Sequence, residues 1–176
     1  MEEVILVDEH DVSVGAMEKM EAHEKAVLHR AFSVFIFNAN GEMLLQQRAL
    51  SKYHSGGLWT NSCCSHPRPG EEIYQAASRR LTEEMGFTTP IKKVFDFIYK
   101  ADFSNGLTEY EFDHVFAGYY DGKIEPNEIE VCNYQYRSMQ EIESMLKDDP
   151  ELFTVWFHIA FPKVMDWWIK NKAVSE

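Results

Sequence analysis

The chain has 176 residues, the size of one domain, and we predict a single domain over residues 1–176. Its formal charge of −12 argues against a nucleic-acid partner and against binding to an anionic membrane surface. The three cysteines make a poor disulfide framework, and no signal peptide or apolar run of membrane-spanning length is evident, so we expect a cytoplasmic protein.

The first half of the chain predicts strands around one short helix. In chain order, the predicted elements are a strand over 4–7, a polar helix over 18–28, a strand over 31–37 and a partner strand over 42–47. Asn40 and Gly41, between the last two, are typical of a type I′ hairpin. Residues 48–69 are predicted to be mostly loop.

The second half begins with an amphipathic helix. The predicted elements are a helix over 71–85 that Gly86 ends, strands over 91–101 and 110–120 joined by a turn at 104–106, a strand over 131–137, a helix opened by a capping box at 138–141, and a helix over 153–172. This order predicts an α+β or α/β domain with a mixed sheet between helices.

Residues 59–67, Trp-Thr-Asn-Ser-Cys-Cys-Ser-His-Pro, place Cys64 two residues before His66. In extended backbone the two side chains point to the same side. A thiol and an imidazole that face one cavity can carry out acid–base chemistry. The alternative is that Cys63 and Cys64 are small buried hydrophobes and that His66 caps a turn.

Arg80 and Glu84 share one face of the predicted helix 71–85. A surface ion pair, worth about 0.3–0.5 kcal/mol, is one interpretation. The wider pattern resembles the Nudix box, Gly-x5-Glu-x7-Arg-Glu-hydrophobic-x-Glu-Glu-x-Gly-hydrophobic. The matching residues are Glu71, Arg79, Leu81, Glu83, Glu84, Gly86 and Phe87. Ser65 replaces the first Gly, and Arg80 replaces a metal-binding Glu.

The replacement at Arg80 changes the chemistry of the box. A guanidinium stands where a metal ligand should be, and guanidinium groups bind phosphate oxygens. Such a site can grip a diphosphate but is poorly equipped to hydrolyse one. Glu84 can still reach a Mg²⁺ that bridges phosphate oxygens.

With this altered box, the Cys–His segment and the pair Glu109 and Glu111, the chain resembles a type I isopentenyl diphosphate isomerase. The resemblance implies an α+β fold, a Nudix-like α/β/α sandwich with a mixed, largely antiparallel sheet between helices. It also implies interconversion of isopentenyl and dimethylallyl diphosphate by protonation and deprotonation through a tertiary carbocation. The implied partner is a small-molecule diphosphate, and we expect a monomer or weak homodimer.

The resemblance implies a divalent metal among three histidines and two glutamates. The matching residues are His23, His29, His66, Glu109 and Glu111. Such nitrogen and oxygen ligands suit Mn²⁺, Zn²⁺ or Mg²⁺. An exposed helical histidine is the alternative for His23, whose spacing to His29 is one residue shorter than the family pattern. His10, His54 and His114 match no motif.

The resemblance assigns the catalytic thiol to Cys64, the carboxylate across the pocket to Glu111 and an assisting phenol to Tyr99. Nearby cations are expected to favour a thiolate at Cys64. Trp156 corresponds to an aromatic that faces the carbocation, a contact worth about 2 kcal/mol when desolvated. The alternative for Trp156 is an ordinary core aromatic.

The diphosphate is expected to bind four cations. They are Lys19, Arg48, Lys52 and Arg80, and a Mg²⁺ held through Glu84 would accompany the diphosphate. Lys19 has the alternative of a solvated surface lysine. Two other functions remain open at this point: a Nudix-type diphosphate hydrolase, and a catalytically silent phosphate-binding or regulatory module.

Overall fold

A single mixed sheet organises residues 1–172, which are the residues that this computed structural model describes. Residues 173–176, the end of the predicted domain, lie outside the described part. The strands in chain order are β1 Glu3–Val7, β2 Ser13–Glu18, β3 His29–Phe37, β4 Met43–Arg48, β5 Trp59–Thr60, β6 Cys63–Ser65, β7 Ile91–Asp102, β8 Thr108–Tyr119 and β9 Val131–Arg137. The helices are α1 Lys19–Glu24, α2 Ile73–Met85, α3 Met139–Asp148 and α4 Val155–Lys172.

Strand β3 is the centre of the sheet. It pairs antiparallel with β1, β4 and β6, and parallel with β8. Every other pairing among the described strands is antiparallel. The predicted mixed, largely antiparallel sheet is therefore confirmed, and β3 brings β6 and β8 to its two sides.

Side-chain alternation along β3 builds a core on each face of the sheet. Phe32, Val34 and Ile36 pack in the layer that contains α2, whereas Phe35 and Phe37 pack in the layer that contains α3 and α4. Burial of both faces explains why β3 is apolar almost throughout. The helices on the two sides confirm the predicted α/β/α sandwich.

Helix α2 follows its sequence pattern closely. Its buried apolar residues are Ala76, Ala77, Leu81 and Met85. Gly86 ends the helix with φ +75°, and a Cβ there would lie 2.0 Å from the carbonyl oxygen of Glu125. The predicted capping box is also present, because the Ser138 side chain accepts from the Glu141 N–H and the Glu141 side chain accepts from the Ser138 N–H.

The predicted type I′ hairpin at Asn40 and Gly41 is wrong. That turn needs two residues with positive φ, and of the pair only Gly41 has one. The connection from β3 to β4 instead takes five residues, 38–42. The Asn38 side chain stabilises it by accepting the backbone N–H groups of Asn40 and Glu42 at 3.1 and 2.9 Å.

Two other predicted segments differ from the structure. The helix predicted over 18–28 is shorter, Lys19–Glu24, and follows the unpredicted strand β2. The predicted loop 48–69 contains β5 and β6, which pair with β4 and β3. These strands are too short to show an alternating pattern, so their hydrogen-bonding partners decide their conformation. Among the described helices, none combines the length and apolarity that crossing a bilayer requires.

Candidate active site

One cavity collects most of the predicted site residues, beside β3, β6 and β8 and next to α2. The predicted residues that line it are Lys19, Arg48, Lys52, Cys64, His66, Arg80, Glu84, Tyr99, Glu109, Glu111 and Trp156. His23 and His29 are fully buried and contact His66 ring to ring. The structure therefore brings all thirteen residues together from eight elements and from the loops that follow β4 and β6.

Three histidines form a cluster that could hold a metal ion. Ligand atoms of His23, His29 and His66 lie within 4.8 Å of one another. The Nδ1–H of His23 donates to the Lys19 carbonyl at 2.6 Å, and the Nδ1–H of His29 donates to the Val27 carbonyl at 2.8 Å. Each of these bonds places the ring proton on Nδ1 and leaves the Nε2 lone pair available to a metal, an arrangement typical of metal-binding histidines. Nε2 of His29 lies 3.3 Å from Nε2 of His66.

The protonation state of this cluster also suits a metal. Burial lowers the pKa of His29 and of His66 to about 3, so both rings are neutral at neutral pH. The Nε2 atom of His23 is buried and has no hydrogen-bond partner among the described residues. An orphaned buried nitrogen beside two neutral imidazoles fits a divalent cation. The alternative of a solvent-exposed His23 is wrong, because α1 packs its ring inward.

Glu109 and Glu111 alternate on β8 and face the cavity together. The Tyr99 hydroxyl oxygen lies 2.8 Å from Oε2 of Glu109 and 2.9 Å from Oε1 of Glu111, while Oε2 of Glu111 lies 3.5 Å from Nε2 of His66. Burial and the neighbouring Glu109 raise the pKa of Glu111. Burial opposes ionisation of Glu109 as well, but contact with His54 holds its pKa below the usual value. Two adjacent carboxyl groups thus differ in proton affinity.

Cys64 lies opposite Ser33 in the pairing of β6 with β3. Its Sγ–H donates to Oδ1 of Asn61 at 3.0 Å. Burial, and next the carboxyl group of Asp113, raise the pKa of Cys64, so the group is a neutral thiol. The expectation that nearby cations would favour a thiolate at Cys64 is therefore wrong. Cys63 points to the opposite face and is fully buried in the core beside α2.

Asp113 is a third acidic residue of β8 that the sequence reasoning missed. The Ser33 hydroxyl donates to its Oδ2 at 2.7 Å, and burial raises the pKa of Asp113. The same Ser33 oxygen lies 3.4 Å from Sγ of Cys64. Extending the alternation of Glu109 and Glu111 by one step would have found this residue.

Trp156 is part of a small apolar cluster that includes Tyr99 and Cys64. Its ring is buried, and the Arg48 guanidinium carbon lies 5.1 Å from the ring centroid. The aromatic therefore shares a cluster with the thiol and contacts one of the predicted diphosphate-binding cations. Its position at the start of α4 follows from the packing of that helix on the sheet.

Three of the four predicted cations face acidic partners that the chain itself supplies. Lys19 pairs with Glu2 at 3.1 Å, and Lys52 pairs with Glu130. Arg80 donates to Glu84 at 2.6 Å and to Glu83 at 2.8 Å, and its side chain is 19% exposed. An entering anion must compete with these carboxylates. Arg80 also lines the cavity, so a simple surface ion pair does not describe it.

Glu84 is buried and both of its oxygens accept hydrogen bonds. Oε1 accepts from Arg80, and Oε2 accepts from the Gln46 side-chain amide at 2.9 Å. Each carboxylate oxygen has two lone pairs, so capacity for a further ligand remains. Gln46, which the sequence reasoning did not consider, therefore orients this carboxylate.

The comparisons with known proteins decide the family. Residues 27–157 match the model of the NUDIX domain. The chain is 51% identical to the isopentenyl-diphosphate Delta-isomerase of Pectobacterium atrosepticum, over 97% of this chain and 96% of that protein. It is 47% identical to isopentenyl-diphosphate Delta-isomerase 2 of Photorhabdus laumondii, over 95% and 98%. The chain belongs to the isopentenyl-diphosphate Delta-isomerase family. That family lies within the Nudix group.

Solved structures support the same fold. The protein DR0079 of Deinococcus radiodurans superposes with a TM-score of 0.70 at 18% identity, over 84% of this chain and 90% of that one. The MutT protein of Methanosarcina mazei superposes with a TM-score of 0.64 at 20% identity, over 82% and 96%. At such low sequence identity these similarities show the fold alone and indicate no function. The isomerase family assignment depends on the sequence relatives.

Two residues of the cavity, Tyr53 and His54, lie in the segment predicted to be loop. Burial raises the pKa of Tyr53, and the Lys19 ammonium lies 5.0 Å from its ring centroid. The His54 ring is buried within 3.3 Å of Glu109. No motif of the isomerase family drew attention to them in the sequence, and only the folded loop places them at the site.

Replacing Arg80 by Ala is expected to raise KM for the diphosphate substrate about 10-fold or more and to change kcat less, because a charge-assisted contact of roughly 1.5–3 kcal/mol is lost throughout the reaction. Steady-state kinetics measures this. Arg79→Ala is the matched control, since Arg79 lies on the same helix but pairs with Glu71 and Glu83 outside the cavity. An unchanged KM in the Arg80 variant would contradict the predicted role of Arg80 in binding the diphosphate.

Proposed function

We propose that this chain interconverts isopentenyl and dimethylallyl diphosphate by proton addition and proton removal. The observation that carries the proposal is that Cys64 and Glu111 line one buried cavity beside Trp156 and a set of cations. Two groups able to hold a proton, an aromatic wall and an anion clamp are the parts that an allylic isomerisation needs. The identity of the relatives supports the same reaction.

The reaction moves a double bond by two proton transfers. One group adds a proton to the terminal alkene carbon, which places the positive charge on the tertiary carbon. The other group removes a proton from C2, and the electrons of that C–H bond form the new double bond. One of the two groups must therefore hold a proton when the other does not. Cys64 and Glu111 are the proposed pair, and Tyr99 is the proposed hydrogen-bond donor to Glu111.

The carbocation requires a wall that stabilises it without reacting. Trp156 is proposed to supply its electron-rich face, a contact worth about 2 kcal/mol in a desolvated site. Its burial with Tyr99 also keeps water away from the cation, which water would otherwise convert to an alcohol.

We propose that His23, His29, His66, Glu109 and Glu111 would hold a divalent ion, Mn²⁺, Zn²⁺ or Mg²⁺. The orphaned Nε2 of His23 and the low pKa values of His29 and His66 support this ligand set. Such an ion would make a bound carboxyl group more acidic. The chain contributes the fixed ring orientations and the low-polarity surroundings.

The diphosphate is proposed to bind Lys19, Arg48, Lys52 and Arg80, with a Mg²⁺ that Glu84 helps to hold. Arg48 and Lys52 come from one end of β4 and its following loop, whereas Arg80 comes from α2. These cations come from separate elements and line the same cavity as Cys64, so they would hold the diphosphate while the five-carbon group faces the thiol.

The deciding experiment is incubation of the protein with isopentenyl diphosphate in deuterated water. The proposal requires deuterium at the methyl carbon formed from the terminal alkene carbon of the dimethylallyl product, because the added proton comes from an exchangeable group. NMR and mass spectrometry of the product measure this. Release of inorganic phosphate without isomerisation would instead support the alternative, a Nudix-type diphosphate hydrolase. The ion pair of Arg80 with Glu84 argues against that alternative.

Removal of bound divalent ions is expected to abolish isomerisation. The His–Glu cluster would then leave several buried ligand atoms without partners, and the acidity of the carboxyl group would fall. Dialysis against a chelator, activity measurement, and re-addition of Mn²⁺ or Mg²⁺ test this. Full activity after complete removal, verified by elemental analysis, would contradict the metal assignment.

The remaining proposals concern the protein in the cell. We propose a cytoplasmic enzyme that acts as a single domain over residues 1–176, as a monomer or weak homodimer, on a small-molecule diphosphate and without a nucleic-acid or membrane partner. The three cysteines are all free thiols, which supports a reducing compartment.

A further inference from the structure

One buried imidazole of the cavity has no part in the proposed reaction. His54 lies in the loop between β4 and β5, and its side chain is 4% exposed. Its Nε2 lies 3.3 Å from Oε1 of Glu109, and neither ring nitrogen has a well-formed hydrogen bond with another described group. Burying an imidazole in this way costs free energy, which is offset only where the ring interacts with a partner.

The orientation of this ring is held from several sides. It stacks on Phe103 at 4.8 Å with 9° between the planes, and it meets Trp156 edge to face at 5.5 Å. The His54 carbonyl also accepts from Nη2 of Arg48 at 3.2 Å. These contacts leave the ring little freedom, so Nε2 stays close to Glu109, 3.3 Å from Oε1.

We propose that His54 is a positioning residue that holds the Glu109 carboxylate toward the histidine cluster. Oε2 of Glu109 accepts from Tyr99, and His54 lies next to Oε1, so each carboxylate oxygen has a neighbour that restricts its position. Outer partners of this kind orient metal ligands and strengthen metal binding. The inference rests on the proposed function only in taking Glu109 as a metal ligand.

A direct ligand role for His54 fits the geometry less well. The group of mutually close ligand atoms found among residues 1–172 consists of His23, His29 and His66. The ring centroid of His54 lies 6.5 Å from that of His23, and its Nε2 lies 3.3 Å from a carboxylate oxygen of Glu109. His54 therefore lies outside the cluster, with Glu109 as its contact.

The test measures metal affinity without substrate. Chelator-treated full-length protein is titrated with Mn²⁺, and free Mn²⁺ is read by electron paramagnetic resonance. His54→Phe keeps an aromatic ring against Phe103 but removes the N–H, and it is expected to weaken Mn²⁺ binding by about 10- to 100-fold. His54→Gln carries an amide nitrogen near the position of Nε2 and is expected to bind closer to wild type. His10→Gln, at an exposed histidine, is the matched control.

Wild-type affinity in the Phe variant would overturn the proposal. Equal weakening in the Phe and Gln variants would also overturn it, because an amide N–H near the position of Nε2 would then have no effect and loss of a direct metal ligand would explain both results. Glu109→Gln supplies a second measurement: adding His54→Phe to it should cause no further loss, and an additional loss of the same size would contradict action through Glu109. If the Phe variant does not fold, His54→Asn replaces it, since its amide is too short to reach Oε1.

These results are separate from the fate of the isomerase proposal. The titration contains no substrate and detects no turnover. Mn²⁺ affinities that follow the expected order would support the His54–Glu109 link even if deuterium failed to enter the product. If the protein isomerises the substrate normally and the His54 variants bind Mn²⁺ as tightly as wild type, the His54–Glu109 link is rejected and the isomerase proposal stands.

Discussion

Cys64→Ala is expected to lower the rate of isomerisation by about 10²–10⁴-fold, because it removes one of the two groups that exchange a proton with the carbon skeleton. Binding of isopentenyl diphosphate should change little. The thiol packs in the cluster that contains Trp156 and Tyr99, whereas the cations come from α1, α2, β4 and the loop after β4. A loss in kcat without a comparable loss in affinity is the signature of a group that acts in the transition state.

The measurement combines kinetics with calorimetric titration of the substrate into the inactive variant. Cys132→Ala is the matched control, since that cysteine is exposed on β9, outside the cavity. Activity near wild type in the Cys64 variant would remove the thiol from the mechanism. If the wild-type protein binds the diphosphate without turning it over, and Cys64→Ala leaves that binding unchanged, the third function considered from the sequence, a catalytically silent phosphate-binding or regulatory module, is favoured.

Glu111→Gln is expected to produce a loss of similar size, about 10²–10⁴-fold in kcat. The amide has nearly the same shape and can still accept from Tyr99, so the fold should be preserved. It cannot take up or release a proton at neutral pH, and it is a weaker metal ligand than a carboxylate. Steady-state kinetics measures the loss in kcat, and the thermal unfolding midpoint of the variant shows whether the fold is preserved.

A matched control separates catalysis from a general effect of lost charge. Glu143→Gln makes the same change at an exposed position of α3 and should leave kcat unchanged. Metal content of the Glu111 variant distinguishes two causes of inactivity. If metal is retained and kcat falls, proton transfer is affected. A Glu111 variant that isomerises at the wild-type rate would contradict the proposed pair.

Where structure depends on near neighbours in the chain, the sequence was informative. The strand over 131–137 was predicted with the bounds that β9 has, and α2 ends at Met85, as its period and Gly86 indicated. The capping box of Ser138 and Glu141 involves groups three residues apart. Helical and strand periods and caps are local in origin, so they can be recognised without the fold.

The choice of chemistry also came from local patterns. The altered Nudix box with Arg80, the Cys–His segment and the Glu-x-Glu pair indicated a diphosphate isomerase, and the relatives place the chain in that family. The roles of the individual residues remain predictions. The prediction of a thiolate at Cys64 was wrong because the charge of this thiol depends on its burial and on its distance from Asp113. Neither can be read from the segment around Cys64.

Only the tertiary structure decided which distant residues meet. β6 is a strand because β3 pairs with it, and His23 is buried because α1 packs its ring against His29 and His66. The approach of His54 to Glu109 joins residues 55 positions apart and has no counterpart in any local pattern. Such contacts form when the sheet closes long loops, and their energies depend on burial and on neighbours from other elements. A linear pattern therefore revealed the type of chemistry, whereas the protonation states and the partners of each group followed from the assembled sheet.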